Sequence, residues 1–513
     1  MSATATRWMA GGFEQQDAIV RFRRARGAIE GLDRNGVQVA KGWSDPSVIS
    51  LAHGEGVRRP HPDVIAAGVR ALLDTEESSL DNYLYLRPFK TFDEAVAQDF
   101  LAEGVPEEYA RHVCVESGNT RLFMGFFNAV ANPGDIVLVP QTYYQALNMW
   151  ADIARVELRV VRTRREDDYV MTADALDAWF AENPADAGRT KAVVLFNPSY
   201  TGALYSEAVL EALADRVLAH DLAVLEDSIF TQTEFAGERV HHLAAVPGLG
   251  DRVVTVDGGS KAYGLANIRI GWACGAPELI ARMKYHATAT SIAIPHVAKA
   301  MALAAMRAPA DYLAENAREC AERAALVERL LGEINDEVSS VLGHEPGVPF
   351  FAVGHRPRSG HSVLVSARGL AGLRTPDGEV LNDSVDVTSY FLREAAVCLS
   401  PGLSNGFDDC TVRISFGCLG SEHTWKDNRE HELSAAADAL LREVSPTSTE
   451  SERRSLMRGL GLGGPGGALS SAGYEGGRAV LVDAIAGRLK RGALRLAEHA
   501  RQGFATTAGR GDR

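Results

Sequence analysis

Between residues 85 and 285, six short apolar runs recur with amphipathic stretches between them, and this alternation limits the fold more than any other feature of the chain. The runs are His112–Val115, Ile136–Val139, Val156–Val161, Ala192–Phe196, Leu222–Leu225 and Val253–Val256. Successive side chains of a strand point to opposite faces, so a run apolar at consecutive positions suits a strand buried on both sides. The stretches between them, such as Ser206–Ala219, carry helical spacing. Strands alternating with helices imply an α/β fold, a mainly parallel sheet covered by helices. Ligands bind such sheets at the carboxyl ends of the strands, so the residues just after each run are where chemistry is expected.

The last run opens the segment Val253-Val-Thr-Val-Asp-Gly-Gly-Ser-Lys261-Ala-Tyr-Gly-Leu-Ala-Asn-Ile-Arg269-Ile-Gly-Trp272. A lysine amine whose pKa is lowered by burial and a nearby cation can condense with an aldehyde. Small neighbours let the backbone approach a flat ring, and an arginine can clamp a phosphate with its fork of donors. Taken alone, the segment also fits an ordinary surface lysine and arginine. With Ser260, Gly264 and Arg269-Ile-Gly271 around it, however, Lys261 resembles the Schiff-base lysine of class I/II aminotransferases and their relatives among the fold-type I pyridoxal-phosphate (PLP) enzymes, aspartate aminotransferase and 1-aminocyclopropane-1-carboxylate synthase among them. The resemblance implies that Lys261 carries PLP, with Ser260 and Arg269 at its phosphate.

Other segments follow in the order that family requires. Leu225-Glu-Asp227-Ser-Ile-Phe230 ends a buried run. The resemblance makes Asp227 the partner of the pyridine nitrogen, keeping it protonated so that the ring accepts electrons; Glu226, its neighbour on the strand, points to the other face. Asn197-Pro-Ser-Tyr-Thr-Gly202 is similar to the family's Asn-Pro-Thr-Gly turn, whose Asn contacts the cofactor and lies near the substrate carboxylate. Counting back from Gly202 puts Ser199 at that position, so either Asn197 or Ser199 fills it, with Asn197 preferred. Thr411-Val-Arg413-Ile-Ser-Phe416 resembles the strand whose arginine grips the substrate α-carboxylate, a bidentate task suited to a guanidinium.

Upstream, Val115-Glu-Ser117-Gly118-Asn119-Thr reads as strand, turn and helix start, where free N–H groups attract anions. By resemblance Ser117, Gly118 and Asn119 hold the PLP phosphate. Val137-Leu-Val-Pro-Gln-Thr-Tyr143-Tyr144 places an aromatic ring over the cofactor, with Tyr144 the preferred stacker. In Asn82-Tyr-Leu-Tyr85, Tyr85 corresponds to a tyrosine that relatives lend to the neighbouring subunit's phosphate. Two positions depart from the pattern. Phe230 stands where the family has a tyrosine, and Gly258 where it has a serine, three residues before the lysine.

The formal net charge of −14 argues against general nucleic-acid or anionic-membrane binding. A mean hydropathy of −0.09 is that of a soluble globular chain. Six cysteines lie scattered without metal spacing, so reduced thiols and a cytoplasmic protein are expected. The pair His241-His242 reads as a solvated turn, and no metal is expected. Residues 1–44 form an N-terminal arm, 45–84 the start of a small domain, 85–285 the large PLP-binding domain, and 286–444 the rest of the small α+β domain. The Gly- and Ser-rich stretch 445–477 reads as a linker, and 478–513 as a basic amphipathic helix and tail whose simplest role is docking on the chain's own body.

The resemblance implies a homodimer with shared active sites and an α-amino acid substrate. The substrate forms an external aldimine, and Lys261 removes the Cα proton. Transamination is the preferred outcome. Elimination or replacement at Cβ or Cγ, as with S-adenosylmethionine, stays open because of Phe230 and the Tyr143-Tyr144 run.

Overall fold

The computed structural model describes residues 17–33, 35–45, 47–52, 60–73, 90–417, 442, 447, 449–452 and 478–508. Tyr85, nearly all of the 431–444 segment and most of the 445–477 stretch lie outside them. The described strands are β1 (Ile49–Ser50), β2 (Val113–Glu116), β3 (Ile136–Pro140), β4 (Glu157–Val161), β5 (Thr190–Phe196), β6 (Ala223–Asp227), β7 (Val253–Gly258), β8 (Gly271–Gly275), β9 (Ala352–Val353), β10 (Ser362–Ser366), β11 (Val397–Cys398), β12 (Ser400–Pro401) and β13 (Thr411–Ser415).

Seven of these form one sheet in the order β2-β8-β7-β6-β5-β3-β4. The pairs among β3 to β7 are parallel, and β8 is antiparallel to both β2 and β7. All six apolar runs are strands. β8 was not legible in the sequence, because Gly271-Trp-Ala-Cys-Gly275 is short, glycine-bounded and weakly β-branched. The sheet is covered on both faces, as consecutive apolar residues require. Val193, Leu195 and Val224 join one core cluster with Phe92 and Trp272, whereas Val194, Phe196 and Leu225 join another with Phe123 and Phe127.

A second sheet, β12-β13-β10-β9, pairs Leu364 with Arg413 across β10 and β13. It belongs to a separate core built from the helix Ala310–Leu342, the helix Ser384–Ala395 and Leu51. The C-terminal segment completes this core. Residues 478–508 are helical, with a π-helical stretch over Asp483–Leu489, and bury Leu481, Ile485, Leu489, Ala493 and Leu496 in it. Polar contacts fix the helix. Tyr390 donates to the Gly492 carbonyl at 2.9 Å, Lys490 meets Glu337 at 2.8 Å, and Arg488 donates to the Ser47 carbonyl at 2.9 Å. Its basic residues thus meet the chain's own acids and carbonyls. No described helix is long and apolar enough to cross a membrane.

Candidate active site

β7 and β8 pair down to Gly258 and Gly271, and the loop 259–270 between them carries Lys261. The base of this hairpin needs glycine. A Cβ on Gly258 would lie 2.7 Å from Asn119 Oδ1, and one on Gly271 only 2.4 Å from the same atom. The absent serine at 258 therefore has a steric cause, since Asn119 occupies its space.

Asn119 opens the helix Asn119–Val130 behind the tight turn at Gly118, whose φ is 78°. A Cβ there would sit 2.5 Å from Arg269 Nη2. Arg269 itself has a φ of 60°, a strained value for a side-chain-bearing residue. Its Nη1 donates to the Ala266 carbonyl at 2.9 Å, and its Nη2 reaches the Ser117 carbonyl at 3.5 Å. A helix N-terminus, a glycine turn and a guanidinium therefore share one corner, a cradle chemically suited to a phosphate. Ser260 lies half-buried in the adjoining loop.

Asp227 ends β6 and is 5% exposed. Burial pushes its carboxyl up to about 7 against the Ile229 N–H, the Asn119 Nδ2 at 3.1 Å and the charge of Lys261. The Asn119 side chain is thus the carboxylate's partner, while its backbone N–H belongs to the helix start expected at the phosphate. Lys261 is half-buried, with Nζ 6.0 Å from the centre of the Phe230 ring.

From Phe230 a row of rings leads to the small sheet. Phe230 lies 5.8 Å from Tyr200 and 5.2 Å from His361, and Tyr200 lies 5.3 Å from Tyr144. Tyr144 is half-buried beside Trp150. Its neighbour Tyr143 is core, with its hydroxyl on Asn148 Oδ1 at 2.9 Å. At the end of the row the Arg413 guanidinium stacks on Tyr200 at 4.3 Å. Arg413 is 2% exposed; its Nη2 donates to the Ala52 carbonyl at 2.7 Å, while Nε and Nη1 are buried without a hydrogen-bond partner. Leaving donors of a buried cation unmet is costly, and an anion is the partner that such donors suit.

The expectation for Asn197 does not hold. Its Nδ2 donates to Glu226 Oε1 at 2.9 Å and to the His241 carbonyl at 2.7 Å, and its Oδ1 accepts from the Tyr205 N–H at 3.4 Å. Strand alternation is the reason: Asn197 continues the face of Val193 and Leu195, which is the Glu226 face, opposite Asp227. Ser199, the alternative, turns its hydroxyl into its own loop, accepting from the Ala203 N–H at 2.9 Å.

His242 is also corrected. It is buried, not solvated, with Nδ1 3.2 Å from Glu226 and Nε2 3.3 Å from Glu103. Burial opposes its charge, but the Glu226 and Glu103 carboxylates outweigh it and lift its pKa to about 10. His241 pairs with Glu207 at 3.0 Å. Nearby, carboxylate oxygens of Asp99, Glu103 and Asp257 lie within 4.8 Å of one another, the one described group with metal-like spacing. Burial and the Glu103 charge push Asp99 up to about 7, so protons as well as cations can relieve this crowding.

Sequence reasoning missed the Asn119–Asp227 bond, the His361 ring and the stacking of Arg413 on Tyr200. The aromatic Tyr200 inside the Asn-Pro-Ser-Tyr-Thr-Gly turn was the available signal, since that turn position otherwise needs no ring.

These elements match known proteins. A "Probable aspartate/prephenate aminotransferase" of Rickettsia bellii is 26% identical over 375 residues, 72% of this chain and 87% of the relative. An "Aspartate aminotransferase" of Rhizobium meliloti is 27% identical over 389 residues, 75% of this chain and 86% of the relative. The crystal structure of the aspartate aminotransferase from Rhizobium meliloti superposes with a TM-score of 0.65 at 25% identity, covering 84% of this chain and 97% of that one. The profile of the family described as aminotransferase class I and II matches residues 46–426, and the chain belongs to that family.

Proposed function

We propose that this PLP-dependent aminotransferase binds its α-amino acid with the carboxylate on Arg413 and the reacting carbon near Lys261. The observation that carries this reading is the buried Arg413 guanidinium, pinned through Nη2 and with Nε and Nη1 unmet. The unmet Nη1 and the second Nη2 hydrogen are parallel donors on one edge, and such a pair matches a carboxylate.

PLP, when bound, supplies an aldehyde carbon for the amino group and a ring that takes up the electron pair left by the Cα proton. The residues that would hold it fit its chemistry. The Ser117-Gly118-Asn119 turn and Arg269, with Ser260 beside them, form the phosphate cradle. Asp227 offers a carboxylate to the ring nitrogen, with Asn119 holding one of its oxygens. A pKa raised to about 7 by burial is brought down when a protonated nitrogen arrives, since an opposite charge favours the ionised form. Tyr144 is assigned as the stacking ring, and Tyr85 to the partner's phosphate in a homodimer. The Lys261 amine would serve as the base that takes the Cα proton and the acid that delivers it to the carbon on the far side of the amino nitrogen. The half-buried site limits water, which keeps that proton in place.

The relatives named aspartate aminotransferase make L-aspartate the first donor to try, and the cytoplasm is the compartment assigned. Their names favour transamination over elimination or replacement. The test is incubation of PLP-loaded protein with single L-amino acids and no acceptor. Transamination gives one equivalent of 2-oxo acid and leaves the pyridoxamine spectrum. Repeated turnover of one amino acid with the starting spectrum restored would overturn it.

A further inference from the structure

The aromatic residue beneath the buried arginine has no role in the reading above. Its loop, Ser199–Gly202, follows β5 of the large sheet, yet it is fastened to the small one. The Tyr200 carbonyl accepts from Ser362 Oγ at 2.8 Å, the Gly202 carbonyl from the Arg358 N–H at 2.7 Å, and His355 Nε2 lies 3.0 Å from the Thr201 carbonyl. Ser362 belongs to β10, which pairs directly with the β13 strand of Arg413. The ring is therefore held from both sides of the cleft and is only 7% exposed.

We propose that Tyr200 is a positioning residue for substrate recognition. Its ring face backs the Arg413 guanidinium, so that the unmet Nη1 and the second Nη2 hydrogen are presented to the carboxylate. This rests on the reading of Arg413 as the carboxylate ligand. The Arg413 Cζ lies 4.3 Å from the ring centre, within the range of a cation–π contact. With both groups desolvated, the contact reaches the upper part of its strength. Geometry adds to this. The Ala52 carbonyl fixes one nitrogen, Nη2, which leaves rotation about that anchor, and the ring face 4.3 Å from Cζ restricts it. A planar fork held in this way loses little entropy when it engages a carboxylate. The aromatic side chain is thus a specificity device placed on one sub-domain to aim a cation on the other.

The experiment uses the PLP-loaded full chain and whichever common L-amino acid reacts fastest, followed through cofactor absorbance, with propionate as a carboxylate-only competitor. Tyr200→Leu is expected to raise both the half-saturating donor concentration and the propionate inhibition constant about tenfold. The maximal rate stays within about threefold, because the contact is made equally before and during the chemistry. Tyr200→Phe and Tyr200→Trp retain affinity, since they keep the ring face. If Tyr200→Leu fails to fold, phenylalanine at 200 carrying one, two and three fluorines tests the same point. Propionate affinity falls stepwise as fluorine drains the ring face, while packing hardly changes. A flat fluorine series, unchanged affinity in Tyr200→Leu, or a loss in Tyr200→Phe equal to that in Tyr200→Leu overturns the proposal. Arg413→Gln is the control: near-normal propionate affinity there overturns the carboxylate reading itself. A crippled Arg413→Gln beside a normal Tyr200→Leu overturns only the role of the ring.

Discussion

Glu226 and Asp227 are consecutive carboxylates on β6, both buried, and they face opposite environments. Glu226 is 0% exposed; its Oε1 accepts from Asn197 Nδ2 and the Leu243 N–H, and its Oε2 accepts from Thr255 Oγ1 with His242 Nδ1 against it. Asp227 has the Ile229 N–H and Asn119 Nδ2, both on Oδ1, and burial lifts it to about 7. One carboxylate is saturated by its own chain. The other is held short of partners, as a group is when a ligand is meant to complete it. A strand that alternates faces thus carries structure on one side and chemistry on the other.

The comparison breaks most sharply at Lys261, which stands on the Asp227 side. Lys261→Ala is expected to lower the transamination rate by on the order of 10⁴-fold, the upper range for a lost acid–base group. Borohydride reduction of PLP-loaded wild type followed by peptide mapping places pyridoxyl on Lys261; label on another lysine refutes the assignment.

Asp227→Asn tests both halves of its character. In the holoenzyme the rate should fall by about 10²–10³-fold, since a neutral amide no longer favours a protonated ring nitrogen. In the apoprotein the same change should stabilise. A folded pKa of about 7 lies above the unfolded value, so the unfolded chain ionises first as pH rises. Wild-type stability is then whole below about pH 4 and is lost up to about pH 7, by about 4 kcal/mol. Denaturant titrations of both apoproteins across that window should show the slope only in wild type.

Glu226→Ala is the mirror experiment. It strands His242 and the Asn197 amide, and the expected cost is about 3 kcal/mol of folding stability, with kcat/KM per folded molecule changed only a few-fold. A rate loss matching that of Asp227→Asn would erase the distinction between the two faces. Leu489→Ala, in the C-terminal helix and far from both carboxylates, calibrates the scale. It should cost about 2–3 kcal/mol by leaving a cavity in the small core, with no change in the cofactor spectrum.

Much of the fold was legible because its strands are buried on both faces, and such strands write themselves as continuous apolar runs. Lys261, Asp227, Gly118 and Arg269 could be singled out for a different reason, since each lies at a strand end or turn that local sequence identifies, whereas Arg413 sits in the middle of β13. Asn197 was misjudged because two residues of turn decide which face a side chain meets, and the pairing of β5 with β6 sets that choice. His242 looked like a loop histidine because its partners, Glu103 and Glu226, are distant in sequence.

By itself, then, the sequence determined the α/β alternation, the order of the chemical segments and the residue types at their turns, since these follow from local periodicity and backbone geometry. Only the tertiary structure decided which side of the sheet each polar group serves, which of its hydrogen bonds are met within the chain, and that Arg413 rests on Tyr200. Those outcomes depend on contacts between residues far apart in sequence, where burial sets the energetic cost of every unmet donor and charge.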